Sequence, residues 1–274
     1  MFLGYNRDHF LDQHQYDNDF KPHVPLNIKC GRYSIRTIST RDELQQVFQF
    51  RHEVFYEELL NQDIKGIDSD DLDEDCDHLI ILDDTKEKIV ANYRLLSTRF
   101  CDRFYSENEF QISEFLKLSG HKLEMGRACV HKDYRSGPVM HLLWRGVAEY
   151  IKLTNTEYLF GCASLRSLEA LQVAVVCEQL KRDGYLSDRF GIKLRPEEEV
   201  PGLVRNIEFV SRSWGVLLED KMDDLINPLF KSYLKLGAKL YSKPAWDRKL
   251  ESIDFLTVLK LDEMTPAFAK RYGL

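Results

Sequence analysis

The chain has 274 residues, of which 43% are hydrophobic and 30% charged, with a formal net charge of −7. That length supports a sizeable buried core, as one large domain or a domain with an extension, and no run approaches the apolar length that spans a bilayer. The negative balance argues against nucleic acid as the main partner, because phosphate backbones are held by clustered Lys and Arg.

Six scattered cysteines without a CxxC pair point to reduced thiols rather than disulfides or a zinc knuckle. The opening MFLGYNRDHF lacks the basic start and apolar stretch of an export signal, so the cytoplasm is the expected compartment. Residues 1–29 show no clear periodicity and read as an irregular arm. Residues 32–38 alternate as a strand does. Thr40 and Glu43 then form a capping-box pattern, so a helix is expected to start there, with Leu44, Val47, Phe48, Val54 and Phe55 as its apolar stripe. Arg51 falls in the middle of that stripe at 100° per residue. An inward guanidinium needs an anionic partner, which a purely structural salt bridge would also supply.

An acidic loop spans residues 63–77. Carboxylates this dense suggest a site for a cation or, alternatively, a solvated turn. The offsets do not fit a calcium-binding EF-hand loop. Strands are expected over residues 78–82, 89–96 and 123–130. Arg94 interrupts the second, and Glu124 and Arg127 the third. Three residues apart, the last two belong on opposite faces of a regular strand, unless a bulge at Gly126 re-aims one. Pro138 is placed to open a helix running to about residue 152. A strand over residues 158–164 and a helix over 167–181 follow. This alternation predicts an α/β (α+β) layered domain.

After Arg195 the pattern breaks at Pro196, Pro201 and three consecutive glutamates. The expected organisation is an arm (1–29), a core (30–195) and a helical C-terminal extension (196–274). In the extension a helical region is expected over about residues 222–240, and Lys231, Lys235, Lys239 and Lys243 recur every four residues, which on a helix makes one basic face, suited to a membrane surface or an acidic partner, or simply solvated. Buried charges in four segments imply that several arginines and carboxylates meet in one pocket, where a carboxylate of raised pKa could take a proton from an attacking amine.

Arg51 with Phe55, Asp70 with Asp73, then Arg94, Phe110, and Glu124 with Arg127 resemble the acyl-homoserine lactone synthase signature, although the tryptophan expected soon after Phe55 is missing near Asn61. Segments 54–58 (VFYEE), 76–79 (CDHL), 93–95 (YRL), 126–131 (GRACVH), 142–144 (LLW), 159–165 (LFGCASL), 233–238 (YLKLGA) and 244–247 (PAWD) resemble bacterial N-acyl amino acid synthases of the ornithine-lipid type more closely. The resemblance covers about residues 32–260. It implies a GNAT fold, with a mixed central sheet flanked by helices, and an acyltransferase moving a 3-hydroxyacyl group from acyl carrier protein to the α-amine of a small amino acid such as ornithine. It implies Glu124 as general base, Arg51, Asp70, Asp73, Arg94 and Arg127 as shapers of the acceptor pocket, and Phe55 and Phe110 as its walls. Cys129, Val130, Arg135 and Gly137 would face the thioester and its phosphopantetheine. No metal or cofactor is implied. The loop at residues 135–139 (RSGPV) is a degenerate form of the GNAT phosphate-binding loop, which favours carrier protein over coenzyme A as donor.

Two alternatives stay open: a synthase of an acylated lactone or other signal, and a GNAT-like module that binds without turnover. Peripheral membrane contact fits the membrane-seeking product. Cys129 with His131 reads as packing rather than as a nucleophile and base. Cys76 with His78 lacks the second ligand pair of a zinc site.

Overall fold

A computed structural model of the chain describes residues 20–165, 167–217 and 225–274. Eleven strands are described, nine of them in one sheet of order β1-β2-β3-β4-β6-β7-β11-β10-β8. They are β1 (Asn27–Cys30), β2 (Tyr33–Thr37), β3 (Asp77–Asp83), β4 (Lys88–Ser97), β5 (Phe110–Gln111), β6 (His121–Val130), β7 (Thr156–Leu165), β8 (Leu186–Ser187), β9 (Lys193–Leu194), β10 (Lys239–Asp247) and β11 (Ser252–Lys260). The short β5 and β9 form a separate antiparallel pair. The described helices are α1 (Arg41–His52), α2 (Ser113–Leu116), α3 (Val139–Thr154), α4 (Ala170–Arg182), α5 (Leu203–Leu217), α6 (Pro228–Leu236) and α7 (Pro266–Tyr272). No helix among the described residues is long and apolar enough to cross a membrane.

The start of α1 follows the expected capping box. The Glu43 amide donates to Thr40 Oγ1 at 3.2 Å, and the Glu43 carboxylate receives the Ser39 amide at 2.9 Å. Past His52 the coil widens into a π-helical segment, Glu53–Leu59. The sheet is antiparallel except for β6 with β7 and β10 with β8. Parallel neighbours need a crossover, and α3 provides it between β6 and β7. Trp144, Val147, Tyr150 and Ile151 of α3 pack on one face of the sheet with Tyr93, Leu123 and Leu159. On the other face, α1 buries Leu44, Val47 and Phe48 against Ile80 and Ile89.

Two expectations about organisation need correction. The irregular arm was expected to reach residue 29, but β1 already starts at Asn27 and pairs with β2; residues 1–19 lie outside the described part. The expected helical extension instead supplies two full strands. β11 pairs with β7 over eight residues from Ile253↔Leu165 to Lys260↔Tyr158, and β10 pairs with β11, so residues 239–260 are built into the central sheet. The helix foreseen over residues 222–240 ends at Leu236, because Gly237 at φ +104° turns the chain left-handed and closes the last turn onto the Leu234 and Tyr233 carbonyls. Lys239 and Lys243 consequently stand on β10 and share no helical face with Lys231 and Lys235. Residues 222–224 of that expected helix lie outside the described residues.

Candidate active site

The site is made where β6 and β7 part. Their parallel pairing runs from His121↔Thr156 to Glu124↔Phe160 and stops there, although the strands continue to Val130 and Leu165. Gly161 stands at the apex with φ +151°, and a Cβ on it would lie 2.4 Å from the Met125 carbonyl oxygen. Only glycine fits that approach. Beyond the apex the fork encloses a cavity of about 690 Å³, a size suited to a small-molecule ligand. Glu124, Arg127, Cys129 and Val130 line it from β6, and Cys162 and Ser164 from β7. Phe55 and Leu59 of the π-helical segment and Phe230 and Tyr233 of α6 add apolar wall.

Glu124 is 2% exposed. Its Oε2 receives the Tyr105 amide at 2.7 Å, and its Oε1 receives the Ser106 amide at 2.8 Å and the Ser106 hydroxyl at 2.5 Å. Burial pushes its pKa up, the Ser106 and Tyr105 donors pull it back, and the net shift is upward. A carboxylate offers about four lone-pair sites. Three are filled here, leaving one on Oε2 unfilled.

Beside it lies a buried ionic network. Arg51 on α1 holds Asp68 Oδ2 from Nε at 2.7 Å and Asp73 Oδ1 from Nη1 at 2.7 Å. Arg94 on β4 reaches Asp70 at 2.6 Å and Asp73 at 3.2 Å. Arg127 holds Asp68 at 3.1 Å and Asp70 at 3.1 Å, and its guanidinium covers the Tyr105 ring at 4.7 Å. Three guanidinium groups thus meet three carboxylates, and the acidic loop is a counter-ion for arginines rather than a solvated turn. Burial pushes the Asp73 carboxyl up, but Arg51 and Arg94 outweigh it and hold the group far below the usual carboxylate range. One donor is left over: Arg94 Nε is buried without a partner.

Arg51, Phe55, Asp70, Asp73, Arg94, Glu124 and Arg127 therefore meet in or directly behind one cavity, along with Cys129, Val130 and Arg135. Phe110 does not. It is fully buried on β5 in an aromatic cluster with Phe104, Phe115 and Phe160, away from the cavity lining. Gly137 is also absent from the lining, and its amide is spent on the Tyr134 carbonyl at 3.2 Å. Arg135 lines the cavity with its guanidinium forked onto Glu58 at 2.5 and 2.9 Å. The bulge expected at Gly126 is present, but its left-handed residue is Arg127, at φ +50°.

Burial pushes the Cys129 thiol up to about 12, while His131 accepts the Asp133 amide at 3.3 Å as a turn cap. Cys76 Sγ and His78 Nε2 lie 3.4 Å apart, but Asp73, the third candidate ligand beside them, is already held by two arginines. Sequence reasoning missed Tyr105, Ser106 and the special place of Asp68. Tyr105 and Ser106 lie in a loop with no periodic signal, and Asp68 was one acid among many.

Residues 50–145 match the family described as acetyltransferase (GNAT) domain. Over 268 residues the chain is 30% identical to an L-ornithine N(alpha)-acyltransferase of Rhizobium meliloti (strain 1021), covering 91% of this chain and 88% of that one. It is 26% identical over 261 residues to a protein of the same name from Brucella abortus (strain 2308), covering 89% and 90% of the two chains. A solved CoA-dependent acyl-homoserine lactone synthase, MesI, is 14% identical with a TM-score of 0.46, covering 85% of this chain and 89% of that one. Taken with the 30% identity over nearly its whole length, the forked sheet and the GNAT match identify this chain as a member of the ornithine-lipid-type N-acyltransferase family, an acyltransferase of GNAT fold.

Proposed function

We propose that the protein transfers a long-chain 3-hydroxyacyl group from the phosphopantetheine thioester of acyl carrier protein to the α-amine of ornithine, giving a lyso-ornithine-type lipid. The observation that carries this reading is the position of Glu124, a buried carboxylate that lines the cavity in the sheet fork and keeps one acceptor site unfilled. The names of the relatives supply the acceptor.

In this reading the thioester lies in the fork, with its carbonyl oxygen toward the strand-edge amides near Cys129 and Val130. The neutral α-amine attacks the carbonyl carbon. Glu124 takes a proton from that nitrogen, directly or through a water, as the tetrahedral intermediate forms. The carbon–sulfur bond then breaks, the pantetheine thiolate leaves and is protonated, and an amide remains. Arg51, Arg94 and Arg127 with Asp68, Asp70 and Asp73 fix the acceptor end of the cavity. Phe55 and the apolar residues of α6 receive the acyl chain. No step needs a metal or a redox group.

Carrier protein is favoured over coenzyme A because the Gly137 amide, which a pyrophosphate would use, is spent inside its own turn. A membrane-seeking product supports peripheral contact with the inner face of the membrane. The test is purified protein with a 3-hydroxyacyl carrier protein or the matching acyl-CoA and each amino acid in turn, read by mass spectrometry. N-acylornithine formed faster from the carrier supports the reading. Transfer only to other amines, or only from coenzyme A, refutes the corresponding part of it.

A further inference from the structure

The network and Glu124 leave a second acidic group without a role. Glu109, Cys162 and Asp254 converge so that one ligand atom from each lies within 4.8 Å of the others. Glu109 and Asp254 are 4% and 2% exposed, and Asp254 and Cys162 line the same cavity as Glu124. Arg51, Arg94 and Arg127 are matched one for one by Asp68, Asp70 and Asp73. Among the described residues no Lys or Arg forms an ion pair with Glu109 or Asp254. Asp254 accepts the Ser252 hydroxyl at 3.0 Å. The Glu109 carboxylate receives the Cys162 thiol at 3.4 Å, which is a weak donor.

A second, independent feature points to a ligand in the same cavity. Arg94, 1% exposed and on the cavity wall, keeps its Nε–H buried and unpartnered. A charged donor in that state is costly unless an anion fills it. Arg94, Glu124 and Asp254 thus line one cavity, with Glu109 beside Asp254. Contacts link Glu124 Oε1 to Ser106 Oγ at 2.5 Å, Ser106 Oγ to Cys162 Sγ at 3.6 Å, and Cys162 Sγ to Glu109 Oε2 at 3.4 Å.

We infer that the cavity holds its acceptor at both ends, the α-carboxylate on Arg94 and a side-chain ammonium on Asp254 with Glu109 behind it, so that Asp254 and Glu109 select diamino acids over neutral ones. This rests on the cavity being the amino acid site. Two crowded carboxyls in a dry wall resist ionising together. Burial first, and neighbouring acids next (Asp254, Asp247 and Glu198 for Glu109, Asp247 for Asp254), push both upward, against the Cys162 thiol at Glu109 and the Ser164 and Ser252 hydroxyls and Arg127 at Asp254. An ammonium seated beside them removes that resistance, so the cation binds with release of a proton. The Cys162 thiol is pushed well up by burial and stays protonated, which makes it a donor to Glu109.

The test compares ornithine with norvaline, which has the same length without the terminal amine, using full-length protein and a saturating acyl donor. Wild type is expected to favour ornithine by about 10²-fold in kcat/KM, and Asp254→Asn and Glu109→Gln to bring that ratio down toward one. Calorimetry in two buffers of different ionisation enthalpy is expected to show greater proton release on ornithine binding than on norvaline binding. Equal use of the two amino acids by wild type overturns the inference, as does a loss in the variants that leaves the ratio intact. If Asp254→Asn does not fold, Glu109→Gln and the wild-type calorimetry decide. Absence of any amino acid acylation by wild type is a separate outcome, and it refutes the proposed function itself.

Discussion

Glu124 and Arg127 face the same cavity although they stand three residues apart on β6. The register explains it. Gly126 pairs with Arg94 and Cys129 with Asn92, so β6 holds one residue more than β4 across this stretch. The extra residue flips the alternation. Arg127 takes the left-handed conformation at φ +50°, and the Asn92 side-chain amide holds its carbonyl at 3.2 Å.

That conformation costs a non-glycine residue about 1 kcal/mol, so Arg127→Gly relaxes the backbone. It also strips Asp68 and Asp70 of a partner in a dry place, at about 3–5 kcal/mol. The net effect is a loss of stability, read as a lower midpoint in urea. Arg127→Lys is expected to fall between the two, because one ammonium cannot fork onto both carboxylates. A midpoint for Arg127→Gly equal to wild type would mean that the network contributes nothing to stability.

Glu124→Gln should reduce kcat by about 10²–10⁴-fold while leaving the thermal transition cooperative. The pH profile carries the sharper test. Because burial raises the Glu124 pKa, the proton-accepting form appears only above the ordinary carboxylate range. Wild-type kcat/KM is therefore expected to climb with pH through a limb above about 4.5, the one that belongs to Glu124. A second limb at higher pH, from deprotonation of the acceptor's own α-ammonium, should persist in both proteins. If the lower limb survives in Glu124→Gln, the base is another group.

Asp73 supports a linkage prediction of opposite sign. Its folded-state pKa is depressed by Arg51 and Arg94 despite burial. The stability it contributes is therefore fully present above the unfolded value of about 3.9 and is lost as pH falls toward the folded one. Asp73→Asn should melt well below wild type at pH 7, with the gap narrowing on acidification below about pH 4. A gap independent of pH would show that Asp73 acts through packing rather than charge.

Much of this site was legible in the sequence because charge inside an apolar pattern is a strong signal. Arg51 in the α1 stripe, Arg94 in β4 and Glu124 with Arg127 in β6 each broke a period and each turned out to be buried. What stayed hidden depends on tertiary placement. Tyr105 acts through its backbone amide, which any residue carries, and Ser106 through its amide and a hydroxyl set in a loop with no periodic pattern. Phe110 looked like a pocket wall, yet pairing of β5 with β9 turns it into a separate aromatic cluster. The lysine spacing of residues 231–243 imitated one long helix and hid the turn at Gly237. With that turn missed, β10 and β11 were missed too, and with them Asp254.

Gly161 is the least conspicuous residue on which the fork depends. It follows the last paired position of β7, Phe160, and is the first on the open side. Its φ of +151° is uncommon for a residue with a side chain, and the Met125 carbonyl occupies the place a Cβ would take, at 2.4 Å. The atoms in the way are all Met125 backbone rather than a flexible side chain, so Gly161→Ala has to push β6 and β7 apart at the apex. The expected cost is at least about 2 kcal/mol. It should be accompanied by a drop in acyl transfer larger than the stability loss explains, since Glu124 lies directly across the last paired rung. Urea unfolding and single-turnover acylation on the same preparation check both. A stable, fully active Gly161→Ala protein would mean that the strands part for some reason other than the close approach at this glycine.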